Sequence, residues 1–185
     1  KEHEECKARH NGLTPAALFE KVGLFDVPAT AAHCVWIEGE DFDIFRRHGV
    51  TVAHNPSSNM KLGSGYAPVK KMLESGVRVG IGTDGAASNN NLNMLEEVTM
   101  ASMLGKGLNG DPTFLSPSEL LEMSCRNGAQ AQGRADCGAL EVGNRADIVV
   151  YDLDRSHLVP TYDVLPNIFY AAAASDICLN TIDGE

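Results

Sequence analysis

The 185 residues are 43% hydrophobic and 22% charged, with a formal net charge of −10 at pH 7. That is the make-up of a folded globular chain with a real core, not of a disordered one. The negative balance excludes nucleic acid as the expected partner, since its phosphates are repelled, and no apolar run approaches the ~20 residues of a membrane span.

Five cysteines (Cys6, Cys34, Cys125, Cys137 and Cys178) are scattered without a Cys-x-x-Cys pair. This predicts reduced thiols, no thiolate zinc site and a cytoplasmic location. The opening KEHEECKARH reads as a solvated helix stopped by Asn11-Gly12. Residues 14–23 follow as a short helix with Thr14 as cap, Pro15 at the first helical position and Gly23 at the end. The apolar run 29-ATAAHCVW-36 predicts a buried strand. Residues 38–48 predict a helix with Phe42, Ile44 and Phe45 on one side, ended by Gly49. A second strand, 50-VTVAHNP-56, is broken by Pro56, and 57-SSNMKLGSG-65 reads as a loop. A helix over APVKKMLESG leads into the strand VRVGIGTDG. Further helices are expected over about 92–105 and from Pro117 to about Gln132.

Strand and helix therefore alternate, with strands beginning near Thr30, Val50 and Val77. Parallel buried strands covered by helices are the expected outcome, in a barrel or in an open doubly wound sheet. Residues 138–154 turn at Gly143-Asn144 into a strand and, with 175–185, read as a small separate β-structure. The chain opens without Met or an N-cap and closes on Asp183-Gly184, a hairpin-type turn with no returning strand. Both ends read as cuts in a longer protein.

Each of the three main strands carries a ligand-capable side chain near its C-terminal end: His33, His54 and Asp84. A single such histidine is most often structural, and an aspartate before glycine is most often a turn residue. Three of them on the functional face of successive parallel strands point to a site. Gly85, Ala86 and Ala87 leave room there for a ligand. No Gly-x-Gly-x-x-Gly or Gly-Lys-Ser/Thr accompanies them, which weighs against a phosphate loop.

The segments AAHCVW, VAHNPSSNMKLGSG, GIGTDGAASNNN and GALEVGNRADIVV, in that order, resemble the C-terminal half of an amidohydrolase-superfamily enzyme. The resemblance covers nearly the whole chain. It is closest to the 5-methylthioadenosine/S-adenosylhomocysteine deaminase group, with s-triazine chlorohydrolases and guanine deaminases as relatives. The implied fold is α/β. Residues 1–135 would supply strands six to eight of a (β/α)8 TIM-like barrel, and residues 136–185 part of a composite β-sandwich.

The resemblance further implies that Asp84 is both metal ligand and catalytic residue, touching the substrate or the attacking water. The metal would be one Zn²⁺ (or Fe²⁺ or Mn²⁺) per subunit of the full-length protein. His33 would be catalytic without holding the metal, bonding the attacking water or the substrate. His54, with Asn55 and Asn59, would position a loop, substrate contact being its lesser reading. Ser88 and Asn89 would line the pocket or cap the turn. Met94, Met100 and Met103 read as core.

The implied reaction is hydrolytic deamination of an adenosine-type thionucleoside to its inosine analogue and ammonia. The partner is thus a small nucleoside, with no membrane or nucleic acid, and a homo-oligomer is compatible. Guanine deamination and triazine dechlorination stand as alternatives in the same chemistry. A non-catalytic scaffold or binding module stands as the alternative from another class. The family also needs a His-x-His pair, a further metal histidine and a shuttle glutamate three residues after it. None is present in these residues, so this chain by itself is expected to be inactive.

Overall fold

The structure, a computed structural model, describes residues 1–185. Two helices lead in, α1 (Glu2–Arg9) and α2 (Pro15–Lys21). The Thr14 side chain accepts from Ala17 N–H, as its position before Pro15 predicts. Three parallel strands then alternate with helices. β1 (Thr30–Ala32) is followed by α3 (Asp41–His48), and β2 (Thr51–His54) by α4 (Pro56–Lys61) and α5 (Val69–Glu74). β3 (Arg78–Ile81) is followed by α6 (Ala86–Asn89) and α7 (Met94–Asn109). The sheet order is β1-β2-β3, with Ala32 level with Ala53 and His54 level with Ile81. Their C-terminal ends therefore open on one side of the sheet.

β2 is paired on both sides and its flank is almost wholly buried, with Val50 and Val52 in the main core. That position accounts for its unbroken apolar run. α3 buries Phe42, Ile44 and Phe45 and stops at Gly49, whose φ of 63° is the left-handed region that glycine enters without strain. Phe45 meets Phe25 edge to face at 5.7 Å. Met72 from α5 and Val77, Val79 and Ile81 around β3 complete this part of the core. Leu120 and Met123 join it from α8 (Pro117–Ser124). A second sheet pairs β4 (Ile148–Tyr151) antiparallel with β5 (Ile177–Thr181), as the alternating segments predicted. Between them α10 (Val164–Ala171) returns to α7 and puts Phe169 in the main core. No helix is long and apolar enough to cross a membrane.

Four local expectations are corrected. The first strand is mostly exposed, being paired on one side only, and is three residues long, because His33 and Cys34 adopt positive φ (66° and 49°) and turn the chain away. Trp36 is consequently 67% exposed, not buried. Residues 56–61 form α4 where a loop was expected, since Pro56 sits at the first helical position, where a missing N–H costs nothing. The helix expected over 117–132 is two, α8 and α9 (Arg126–Ala131), broken at Cys125. α9 is tied to the sheet at both ends, by Asn127 Nδ2 donating to Val79 O and by Thr30 Oγ1 donating to Ala131 O. Finally, Met94, Met100 and Met103 of α7 are exposed, Met103 at 62%. The buried face is instead Glu97, Val98, Ala101, Ser102 and Gly105.

Candidate active site

Asp84 stands three residues beyond the end of β3, in a left-handed turn with φ 60°, and His33 one residue beyond β1 with φ 66°. Non-glycine residues in this region cost on the order of 1–3 kcal/mol each and cluster at functional sites. The two strands are next-nearest neighbours, and the turns bring His33 Nε2 to 3.7 Å from Asp84 Oδ2. Both side chains border a cleft of about 700 Å³, whose wall includes Phe19, Phe25, Trp36 and Ser58.

Asp84 follows the apolar run of β3, yet its side chain is 29% exposed and not shielded by burial. It is held by hydrogen bonds instead. Ser88 Oγ donates to Oδ2 at 2.6 Å and Ser58 Oγ to the same atom at 2.7 Å. These two bonds, and then the Gly85 N–H, stabilise the charged form and pull its pKa down from 3.8 to about 2. At neutral pH the site therefore presents a fixed anion. The same Ser88 hydroxyl lies 3.0 Å from Gly85 O and so belongs to the turn.

His33 is oriented from the opposite edge. Its Nδ1 lies 2.9 Å from Asn59 Oδ1, with Asn55 Nδ2 further off at 3.5 Å. In the tautomer whose Nδ1–H donates to Asn59, Nε2 carries a lone pair directed to the cleft. At 3.7 Å, Nε2 and Oδ2 are too far apart for a direct hydrogen bond. Two acceptors then face a gap suited to a donor, such as a water or an amino group.

His54 is placed differently. It is fully buried, outside the cleft lining, with neither ring nitrogen hydrogen-bonded and its ring edge-on to Tyr66 at 5.2 Å. Burial, followed by the nearby His33, pushes its pKa down from 6.5 to about 4. Of the residues expected to position the loop, Asn59 bonds His33, whereas the His54 ring bonds nothing. Ser58, which lines the cleft and bonds Asp84, was not anticipated as part of the site. The available signal for Ser58 was Pro56: a helix starting there carries Ser58 and Asn59 back over the strand ends.

A metal fits the donor types present only in part. A carboxylate oxygen and an imidazole nitrogen suit zinc, but no group of three or more His, Cys, Asp or Glu side chains that could hold an ion is present.

A model described as the amidohydrolase family matches residues 1–185. A 5-methylthioadenosine/S-adenosylhomocysteine deaminase of Desulforudis audaxviator is 50% identical over 185 residues, covering 100% of this chain and 43% of the relative. A 5'-deoxyadenosine deaminase of Methanosarcina acetivorans is 48% identical over 174 residues, covering 94% of this chain and 40% of its own length. Among solved structures, an adenosine deaminase from Xanthomonas campestris with bound zinc superposes with a TM-score of 0.93 at 34% identity. That match covers 100% of this chain and 42% of the other. The chain thus spans less than half the length of these relatives.

Proposed function

The chain belongs to the amidohydrolase family, and on that premise we propose that it forms the Asp84-bearing side of a metal-dependent deaminase active site. Its substrates would be adenosine-type thionucleosides, 5-methylthioadenosine and S-adenosylhomocysteine, which lose the 6-amino group to give the inosine analogue and ammonia. The observation that carries this reading is the facing pair His33 Nε2 and Asp84 Oδ2, 3.7 Å apart across the cleft. The deaminase names of the relatives support the reaction class, and the zinc in the structural neighbour supports the metal. On the same reading β1, β2 and β3 are strands six, seven and eight of a (β/α)8 barrel, and β4 and β5 part of a β-sandwich.

Of this chain's residues, Asp84 would hold the metal, through a carboxylate kept ionised by Ser88 and Ser58. The other ligands then belong to the part of the relatives' length that this chain does not cover. A bound divalent metal supplies Lewis acidity that can lower the pKa of water to roughly 7. Asp84 takes the proton of the attacking water as oxygen adds to C6. The same carboxyl then gives that proton to the departing amine nitrogen, so that ammonia leaves neutral. His33, turned by Asn59, accepts a hydrogen bond from the water or the amino group and fixes its direction.

The test uses the full-length protein. Asp84→Asn keeps size but removes the charge, so activity and metal content should both fall. His33→Asn should lose activity while keeping the metal. Loss of one positioned catalytic group costs ~10²–10⁴-fold in rate. Metal content and turnover on both nucleosides decide the matter. Full activity in Asp84→Asn ends the deaminase reading, and metal loss in His33→Asn makes that histidine a ligand.

A further inference from the structure

The most buried carboxylate in the chain lies outside the cleft. Glu97, in the first turn of α7, is 1% exposed. Both its oxygens are used. Oε2 accepts from Ser57 N–H at 3.1 Å and Oε1 from Asn89 Nδ2 at 2.7 Å. Burying a carboxylate is costly unless donors replace its water, and these two bonds supply them.

The two donors belong to the two segments that hold the facing pair. Ser57 precedes Ser58, which donates to Asp84 Oδ2, and Asn59, which orients His33. Asn89 follows Ser88, the other donor to Asp84. Its amide nitrogen makes a second bond at 2.7 Å to Thr83 O, the carbonyl just before Asp84. One carboxylate thus joins the start of α4 to the Asp84 turn, and through Asn89 grips that turn on both sides of Asp84. The turn has a reason to need such a grip, since Asp84 sits at a φ of 60°.

We propose that Glu97 is a positioning residue, which acts through Asn89 to hold Asp84 in line with His33. The proposal rests on the deaminase reading for its kinetic consequence but not for its structural one.

The experiment uses full-length Glu97→Gln, Asn89→Ala and the double variant, each in the metal-loaded form. Glutamine has one acceptor, so its amide nitrogen must face either Ser57 N–H or Asn89 Nδ2, donor against donor. Expected is a fall in kcat of about 10–100-fold with KM nearly unchanged, the size of loss that a misplaced catalytic group produces. Amides of residues 83–91 should exchange with deuterium faster while those of β2 and β3 do not. The metal should leave faster into a chelator. Asn89→Ala should reproduce the loss, and the double variant should be little worse than either. If Glu97→Gln does not fold, Asn89→Ala decides by the same readouts. Turnover within about twofold of the parent with unchanged exchange at 83–91 overturns the proposal, and so do losses that add fully in the double variant. If the parent protein deaminates no nucleoside, the function proposed above falls. Exchange and metal retention still decide the role of Glu97.

Discussion

His54 should make the protein acid-sensitive in a measurable way. Unfolded, its ring protonates near 6.5; folded, burial lowers that to about 4. The sign follows from which state binds more protons. Above pH 6.5 neither state binds one here, and the residue is neutral in its effect. As pH falls through 6.5 the unfolded chain gains a proton that the folded one refuses, so stability drops. The loss levels off once pH passes below 4, where both states are charged. At about pH 4.5 the difference comes to roughly 2.5 kcal/mol. In a domain of roughly 150–250 residues each kcal/mol moves Tm by about 2–4 °C. The contrast is His54→Phe, which keeps an aromatic ring beside Tyr66 but cannot titrate. Absolute Tm will differ between the two proteins, so only the pH dependence is read. Thermal unfolding of both from about pH 7.5 to 4.5 should show the parent losing roughly 5–10 °C more than the variant. Equal losses would show that His54 protonates as readily in the fold as outside it, and the burial argument would fail.

Two further outcomes separate packing from site geometry. A Cβ on Gly82 would sit 2.5 Å from Asn55 Oδ1, the far end of a side chain that also approaches His33 Nδ1. Gly82→Ala in the full-length protein should therefore lower Tm, since the buried Asn55 must shift, and should also lower kcat/KM several-fold. Unchanged kcat/KM would show that Asn55 has no part in orienting His33. Ser116 caps α8 in a reciprocal pair with Glu119, accepting from Glu119 N–H while Glu119 bonds back to Ser116 N–H. Ser116→Ala should cost about 1 kcal/mol in denaturant unfolding with turnover untouched, and no measurable loss would mean the cap is redundant.

Much of the fold was legible along the chain. The strand starts expected near Thr30, Val50 and Val77 lie within a residue of the observed Thr30, Thr51 and Arg78. Short apolar runs after turn signals are strong local evidence. The arrival of Asp84 just past the third strand was legible as well, because the apolar run and the small residues after it bracket the strand end. What misled was reading residues singly. The methionines of α7 looked like core by composition, whereas the face that packs is set by where α7 meets α4 and α10.

Sequence by itself determined the order of elements, the caps and stops, and the residue types delivered to the strand ends. Those depend on backbone preferences and on neighbours within a few positions. Only the tertiary structure decided which side chains meet. Ser58 reaches Asp84 across 26 positions and Ser57 reaches Glu97 across 40. These pairs are set by the parallel register that levels Ala32, Ala53 and Gly80 and by the seating of α7 beside α4. No periodicity along the chain encodes a hydrogen bond between such segments. It exists only once the sheet has aligned their ends and packing has removed the water that would otherwise satisfy Glu97.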